Sequence, residues 1–231
     1  VLDLADSNQE NTASTASSRS AAHARIMNAL LSRQIRPGHL VSQREIAEIV
    51  GATLPAVREA LKWLEAENVV RLIPKRGVSI REVTRKEVAD AYELRMLIEM
   101  QAIVPYTQSA NPVELAELRR ETEALIAAAG TASDSVLEHF SRRVALDSLL
   151  HRCIVKALDN ELISNVHRSV DTVMLLARLS LPPQFHADGP AFHEHLILID
   201  RIEQRDEAGA SAALLSHLTE ARSRAVNSVA P

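Results

Sequence analysis

The sequence predicts a mainly α-helical protein in two parts: an amino-terminal three-helix unit with a small β-hairpin, then an antiparallel bundle of about six helices. Three observations carry this prediction. Between Ser42 and Gly77, two short helices with start and stop signals run directly into a hairpin. From about Arg85 onward there is almost no strand signal, and a helical pattern repeats between short breaks. Aromatic residues make up only 3% of the chain, so its cores must be built mainly from Leu, Ile, Val and Ala.

The elements follow in chain order. Ser42-Gln43-Arg44-Glu45 has capping-box spacing, in which a hydroxyl and a carboxylate three residues on satisfy each other's orphan amides. Ile46, Ala47, Ile49 and Val50 give that helix an apolar side, and Gly51 supplies the left-handed residue that ends it. Thr53 is placed to cap the next helix, with Pro55 in its first turn. Val57, Ala60, Leu61 and Leu64 form its buried stripe, while Arg58 and Lys62 lie opposite. Asn68 is a left-handed terminator. Val69–Ile73 and Val78–Arg81 read as paired strands turning at Pro74-Lys75-Arg76-Gly77. This order is a winged helix-turn-helix, whose second helix enters a DNA groove with the wing beside it. The expected DNA-contacting residues are Arg44, Thr53, Arg58, Lys62, Lys75, Arg76 and Gly77.

Charge divides the chain in the same way. Residues 19–86 hold 13 Lys and Arg against 6 Glu, whereas residues 87–231 hold 13 bases against 21 acids, within a whole-chain charge of −4. A basic head on an acidic body fits a DNA reader joined to a domain that avoids DNA. The predicted division is a mobile tail over 1–18, a winged helix-turn-helix over 19–83 and a helical effector-binding and dimerisation domain over 84–231. The chain contains no apolar run of membrane-spanning length or signal-peptide type, and its lone Cys153 offers no intramolecular disulfide, so a cytoplasmic protein is expected. Cys153 reads as a buried, inert thiol.

Arg36-Pro37-Gly38, Ile46-Ala47-Glu48, Gly51-Ala52-Thr53, Val57-Arg58-Glu59-Ala60-Leu61 and the Arg76-Gly77 wing tip occur in that order. Together they resemble the DNA-binding domain of the GntR family of bacterial regulators, from about Arg25 to Ile80. In one place the chain departs from the family: Leu54 stands where the family usually has an arginine that reads guanine edges. The resemblance therefore implies an operator that differs from the usual half-site, read by Arg44, Arg58 and the wing.

In the carboxy-terminal part, helices are expected near Arg85–Ala110, Pro112–Ala129, Ser133–Leu158, Glu161–Leu181, Pro190–Gln204 and Glu207–Asn227, with Pro105 kinking or ending the first. Asp147 and His151 are four apart on one helix and share a face. His195 and His217 lie equally far on either side of a turn centred on Asp206, which puts their imidazoles level in an antiparallel hairpin. The four can hold one divalent ion. His23, His139, His167, His186 and His193 are set aside. A His₃Asp set suits Zn²⁺ first, with Ni²⁺ or Mn²⁺ as other candidates.

Asp147-Ser148-Leu149-Leu150-His151, Asn160, Glu194-His195, His217-Leu218 and Glu93-Leu94-Arg95 with Glu99 are similar to the FCD branch of the same family. That helical domain often holds a metal through one Asp and three His. Six helices rather than seven point to its VanR-like subgroup. The implied protein is a homodimeric transcription regulator, usually a repressor, that binds a double-stranded operator of near-palindromic half-sites. Its effector would be a small organic acid or sugar acid at or near the metal, leaning on Arg95; the plainer reading of Arg95 is an ordinary surface or interhelical ion pair with Glu99. Other readings stay open: the metal as the signal, the metal as a structural ion and, least favoured, a metal-dependent hydrolase. No general base is placed beside the four ligands, so an enzyme is not expected.

Overall fold

The computed structural model describes residues 20–128, 136–180 and 190–229. The expected tail over 1–18, the breaks at Gly130 and Pro182-Pro183, and His186 lie outside the described residues. The chain separates into two compact units, dividing between Glu82 and Val83.

In the first unit, helix α1 (20–31) is followed by strand β1 (Leu40–Val41), helices α2 (Gln43–Val50) and α3 (Leu54–Ala66), and strands β2 (Val70–Ile73) and β3 (Gly77–Ile80). Ile26 and Leu30 of α1 are buried with Ile46 of α2, Leu61 and Leu64 of α3 and Ile80 of β3. The sheet order is β1-β3-β2, antiparallel throughout, with Val70 opposite Ile80 and Ile73 opposite Gly77. Strand β1 carries no sequence signal because two residues cannot display a period. It pairs Leu40 with Ser79 and Val41 with Val78, making the hairpin a three-stranded sheet.

The helix ends test the capping arguments. Gly51 has φ 60° and ends α2 in the left-handed region as expected, while Arg25 of α1 donates to its carbonyl at 2.7 Å. Asn68 (φ 60°) turns the chain out of α3. Ser42 Oγ accepts from the Glu45 amide at 3.1 Å, but only this half of the expected box forms. Thr53 occupies the N-cap of α3 without a side-chain cap bond, because Pro55 in the first turn removes one of the two amides that its hydroxyl would engage. The complete box lies at Thr84–Glu87, where Thr84 Oγ1 accepts from the Glu87 amide and Glu87 accepts from the Thr84 amide at 2.8 Å.

The second unit contains α4 (Arg85–Ser109), α5 (Pro112–Ala128), α6 (Val136–Lys156), α7 (Glu161–Ser180), α8 (Ala191–Glu203) and α9 (Glu207–Ser228). Helix α4 is central and packs against α6, α7, α8 and α9. Pro105 does not end it: the helix runs on to Ser109 because Ala102, Ile103 and Tyr106 are buried around the proline, and this packing offsets one missing amide donor. The core is aliphatic, with Ile103, Leu115, Leu150, Ile154, Leu198, Ile202 and Leu214 at its centre. No described helix is long and apolar enough to cross a membrane.

Candidate nucleic-acid interface and metal centre

In the first unit, Ser42, Gln43, Arg44, Leu54, Arg58, Leu72 and the 73–77 turn line one cleft of about 450 Å³. Arg44, Arg58, Lys75, Arg76 and Gly77 therefore converge, although they come from two helices and the wing. Arg58 Nε donates to Gln43 Oε1 at 3.2 Å, which ties the α3 side chain to the start of α2. Thr53 and Lys62 lie outside this lining; Lys62 is exposed and pairs with Glu59 at 2.7 Å. The wing is held in place by Glu65 of α3, which accepts from the Leu72 amide at 2.7 Å.

Two backbone features set the wing tip. Lys75 has φ 61°, a region where a non-glycine residue carries about 1–2 kcal/mol of strain. Gly77 has φ 131°, and a Cβ there would lie 2.6 Å from the Val41 carbonyl oxygen. Only glycine lets β3 start this close to β1.

In the second unit, Asp147 and His151 of α6, His195 of α8 and His217 of α9 bring one ligand atom each within 4.8 Å of one another. His195 Nε2 and His217 Nε2 stand 3.2 Å apart, and His195 Nε2 is 3.6 Å from Asp147 Oδ1. The three rings surround a common point, with His151 stacked on His217 at a centroid distance of 5.2 Å. Asp206, whose carboxylate accepts from the Gly209 amide, caps α9 and fixes the hairpin register that faces His195 to His217.

The surroundings fix the tautomers. Glu194 Oε2 lies 2.7 Å from His217 Nδ1 and Glu99 Oε2 lies 2.6 Å from His151 Nδ1; an ionised carboxylate can only accept, so both Nδ1 atoms carry the proton. Both Nε2 lone pairs are then left for the cluster, and that of His151 is buried without any partner. Burial holds the His195 pKa well below the imidazole range and lowers that of His217, so both are neutral near pH 7. Burial works against ionised Asp147, yet the adjacent Arg178 keeps its carboxyl well below the ordinary range. Arg178 Nη2 donates to Asp147 Oδ2 at 2.6 Å, leaving Oδ1 turned to the histidines. Three imidazoles, one carboxylate and an orphaned buried nitrogen suit a divalent transition metal.

Arg95 lies next to this cluster and is 2% exposed, so the ion pair expected with Glu99 is neither a surface nor an interhelical one. Its Nε donates to Glu99 Oε1 at 2.7 Å within α4, and its ring neighbour is Tyr92. Its Nη2 is buried with no partner. Glu99, fully buried, also accepts from His167 Nε2 at 3.0 Å. His167, set aside from the sequence, thus belongs to the shell around the cluster, as do Arg178 and Glu194. The signals were faint: Arg95–Glu99 and His167–Asp171 are i, i+4 pairs, and such pairs also occur on any solvated helix.

Residues 19–80 match the gntR family of bacterial regulatory proteins, and residues 90–220 match the FCD domain. The chain is 21% identical over 182 residues to the uncharacterized HTH-type transcriptional regulator YdhC of Bacillus subtilis, covering 79% of each. It is 25% identical to the gluconate operon transcriptional repressor of Bacillus subtilis, over 78% of this chain and 73% of the relative. Among solved structures, a candidate GntR regulator from Rhodococcus sp. RHA1 aligns with a TM-score of 0.74 at 19% identity, covering 93% of this chain and all of that one. E. coli McbR/YncC aligns at 0.71 and 17% identity, covering 91% and 97%. The fold is shared with these structures, the relatives are transcriptional regulators rather than enzymes, and the chain belongs to the GntR family of bacterial regulatory proteins, with an FCD domain as its helical body.

Proposed function

We propose that this protein is a cytoplasmic, homodimeric transcriptional repressor whose grip on a near-palindromic operator is controlled by a small carboxylate or sugar acid. The observation that carries this reading is the buried Arg95 Nη2, a donor left unpaired although the guanidinium is ion-paired to Glu99 through Nε, beside four converging metal-ligand atoms. Asp147, His151, His195 and His217 would hold the ion, Zn²⁺ first by donor type, with Ni²⁺ or Mn²⁺ as alternatives. When bound, the ion supplies a fixed positive charge toward which an anionic effector is drawn. Arg95 would orient the effector's carboxylate by a charge-assisted hydrogen bond. The likeness to a gluconate operon repressor supports a sugar acid. Six helices among the described residues, α4–α9, support the VanR-like subgroup.

At the amino end, Arg58 would reach bases or phosphates from α3, Arg44 and Thr53 would hold the backbone, and Lys62 would add a peripheral contact. Lys75, Arg76 and Gly77 would set the wing against the adjoining groove. A ten-fold change in operator affinity requires the effector to prefer one state by about 1.4 kcal/mol. The test is operator binding by fluorescence anisotropy, with gluconate and related acids titrated with and without chelator. Relief of binding by an acid, abolished by Arg95→Gln, supports the reading; affinity that follows metal but no acid would replace it with a metal-responsive regulator.

A further inference from the structure

We propose that the helical body carries a second ligand site, separate from the histidine cluster, that takes a zwitterionic amino acid with an apolar side chain. The site is a cleft of about 620 Å³ formed by the last turns of α4, the first half of α5 and the second half of α6. Leu118, Leu146, Leu149 and Cys153 give it an apolar floor. Helix α6 thus contributes to two sites, with Asp147 and His151 in the metal cluster and these residues in the cleft.

Three polar groups converge on that floor. Glu114 of α5 and Lys156 of α6 line the cleft, and neither forms an ion pair among the described residues. Both line the cleft together with Cys153, so opposite charges share one lining without pairing with each other. The other two glutamates of the lining, Glu117 and Glu121, are engaged by Arg120 and Arg142. The third group is the hydroxyl of Tyr106, a residue 5% exposed, which is buried and has no hydrogen-bond partner. Tyr106 itself is part of the cleft lining, and burial, with Cys153 and Glu114, pushes its pKa up.

An unpaired buried hydroxyl is unfavourable, and a ligand donor relieves it. An ammonium group donating to the Glu114 carboxylate and to Tyr106 Oη meets both needs, and a carboxylate on the same molecule accepts from Lys156 Nζ. The apolar side chain then covers the leucines. A simple amine leaves Lys156 facing an added cation, and a simple acid brings an anion against Glu114. A mostly apolar cleft with a few convergent polar groups has the composition of a small-molecule site.

The test is calorimetric titration of the full chain with L-phenylalanine, 2-phenylethylamine and 3-phenylpropanoate, three ligands with one body and different charges. Phenylalanine is expected to bind one per chain, and each single-charge analogue about ten-fold or more weaker. Glu114→Gln should weaken phenylalanine about ten-fold, Lys156→Met should do so while sparing 2-phenylethylamine, and Tyr106→Phe should cost a few-fold. Both charged residues are exposed on helices, and a thermal melt confirms that their variants fold. Chelator should leave phenylalanine binding unchanged, which keeps this result independent of the metal reading. Absence of heat at millimolar phenylalanine, or binding that survives Glu114→Gln but is lost with chelator, overturns the proposal.

Discussion

The two units place their charges in opposite ways. Among the described residues, every buried charged or polar side chain belongs to the second unit, including Arg95, Glu99, Asp147 and four histidines, while the interior of the first is wholly apolar. The amino-terminal cations of the cleft, Arg44, Arg58, Lys75 and Arg76, are all exposed. Exposed cations on an apolar frame suit a large polyanion approaching from outside, where little desolvation is required. Buried, mutually paired charges are costly to fold and suit a small ligand enclosed by protein. The same residue types therefore report different partners, and burial separates them.

The comparison is broken most forcefully at Glu99. Glu99→Ala leaves Arg95 buried and removes the acceptor of both His151 and His167, so urea denaturation should show a loss of about 3–5 kcal/mol. A loss below about 1 kcal/mol would mean that these charges reach water. By contrast, Arg58→Ala should leave the urea midpoint within about 0.5 kcal/mol and weaken operator binding by about 1–3 kcal/mol. An unchanged anisotropy midpoint would remove Arg58 from the reading set.

The contrast also has a pH signature. His195 and His217 have depressed folded pKa values, so an unfolded chain takes up protons below about pH 6.5 that the folded chain refuses. Stability of the chelator-treated protein is present above that pH and should fall as the pH drops, by at most about 1.4 kcal/mol per pH unit for each histidine. The carboxylates extend the loss downward: Glu194, held at about 2 against burial by His217 and Arg224, contributes stability lost between about pH 4.5 and 2. Thermal melts across pH 7.5 to 5 measure the first window; a flat profile would show that the imidazoles are charged when folded. Leu54 lines the basic cleft, and Leu54→Arg should leave overall operator affinity little changed while shifting preference toward the usual family half-site. Selection from a random DNA pool detects it.

Much of this was legible from residues alone because it rests on local chemistry. Gly51, Asn68 and the apolar stripe Val57-Ala60-Leu61-Leu64 act within a few residues of themselves, and the His195–His217 register follows from counting about one turn. What escaped depends on three dimensions. Strand β1 exists only because β3 offers it an edge, and the Ser42 box is half formed while an unremarked Thr84–Glu87 box is complete. His167 and Arg178 are ordinary helical polar residues, and Glu99 is only a partner for Arg95, until α4 is seen to be enclosed by four neighbours. Burial turns them from solvated side chains into the shell that sets tautomers.

The most direct test is the metal content of the purified full chain and of the His195→Ala/His217→Ala double variant, each stripped with chelator, reloaded with Zn²⁺ and dialysed. One ion per chain in the parent and none in the variant is the predicted result. Equal stoichiometry in both would contradict the assignment of these four side chains to a metal.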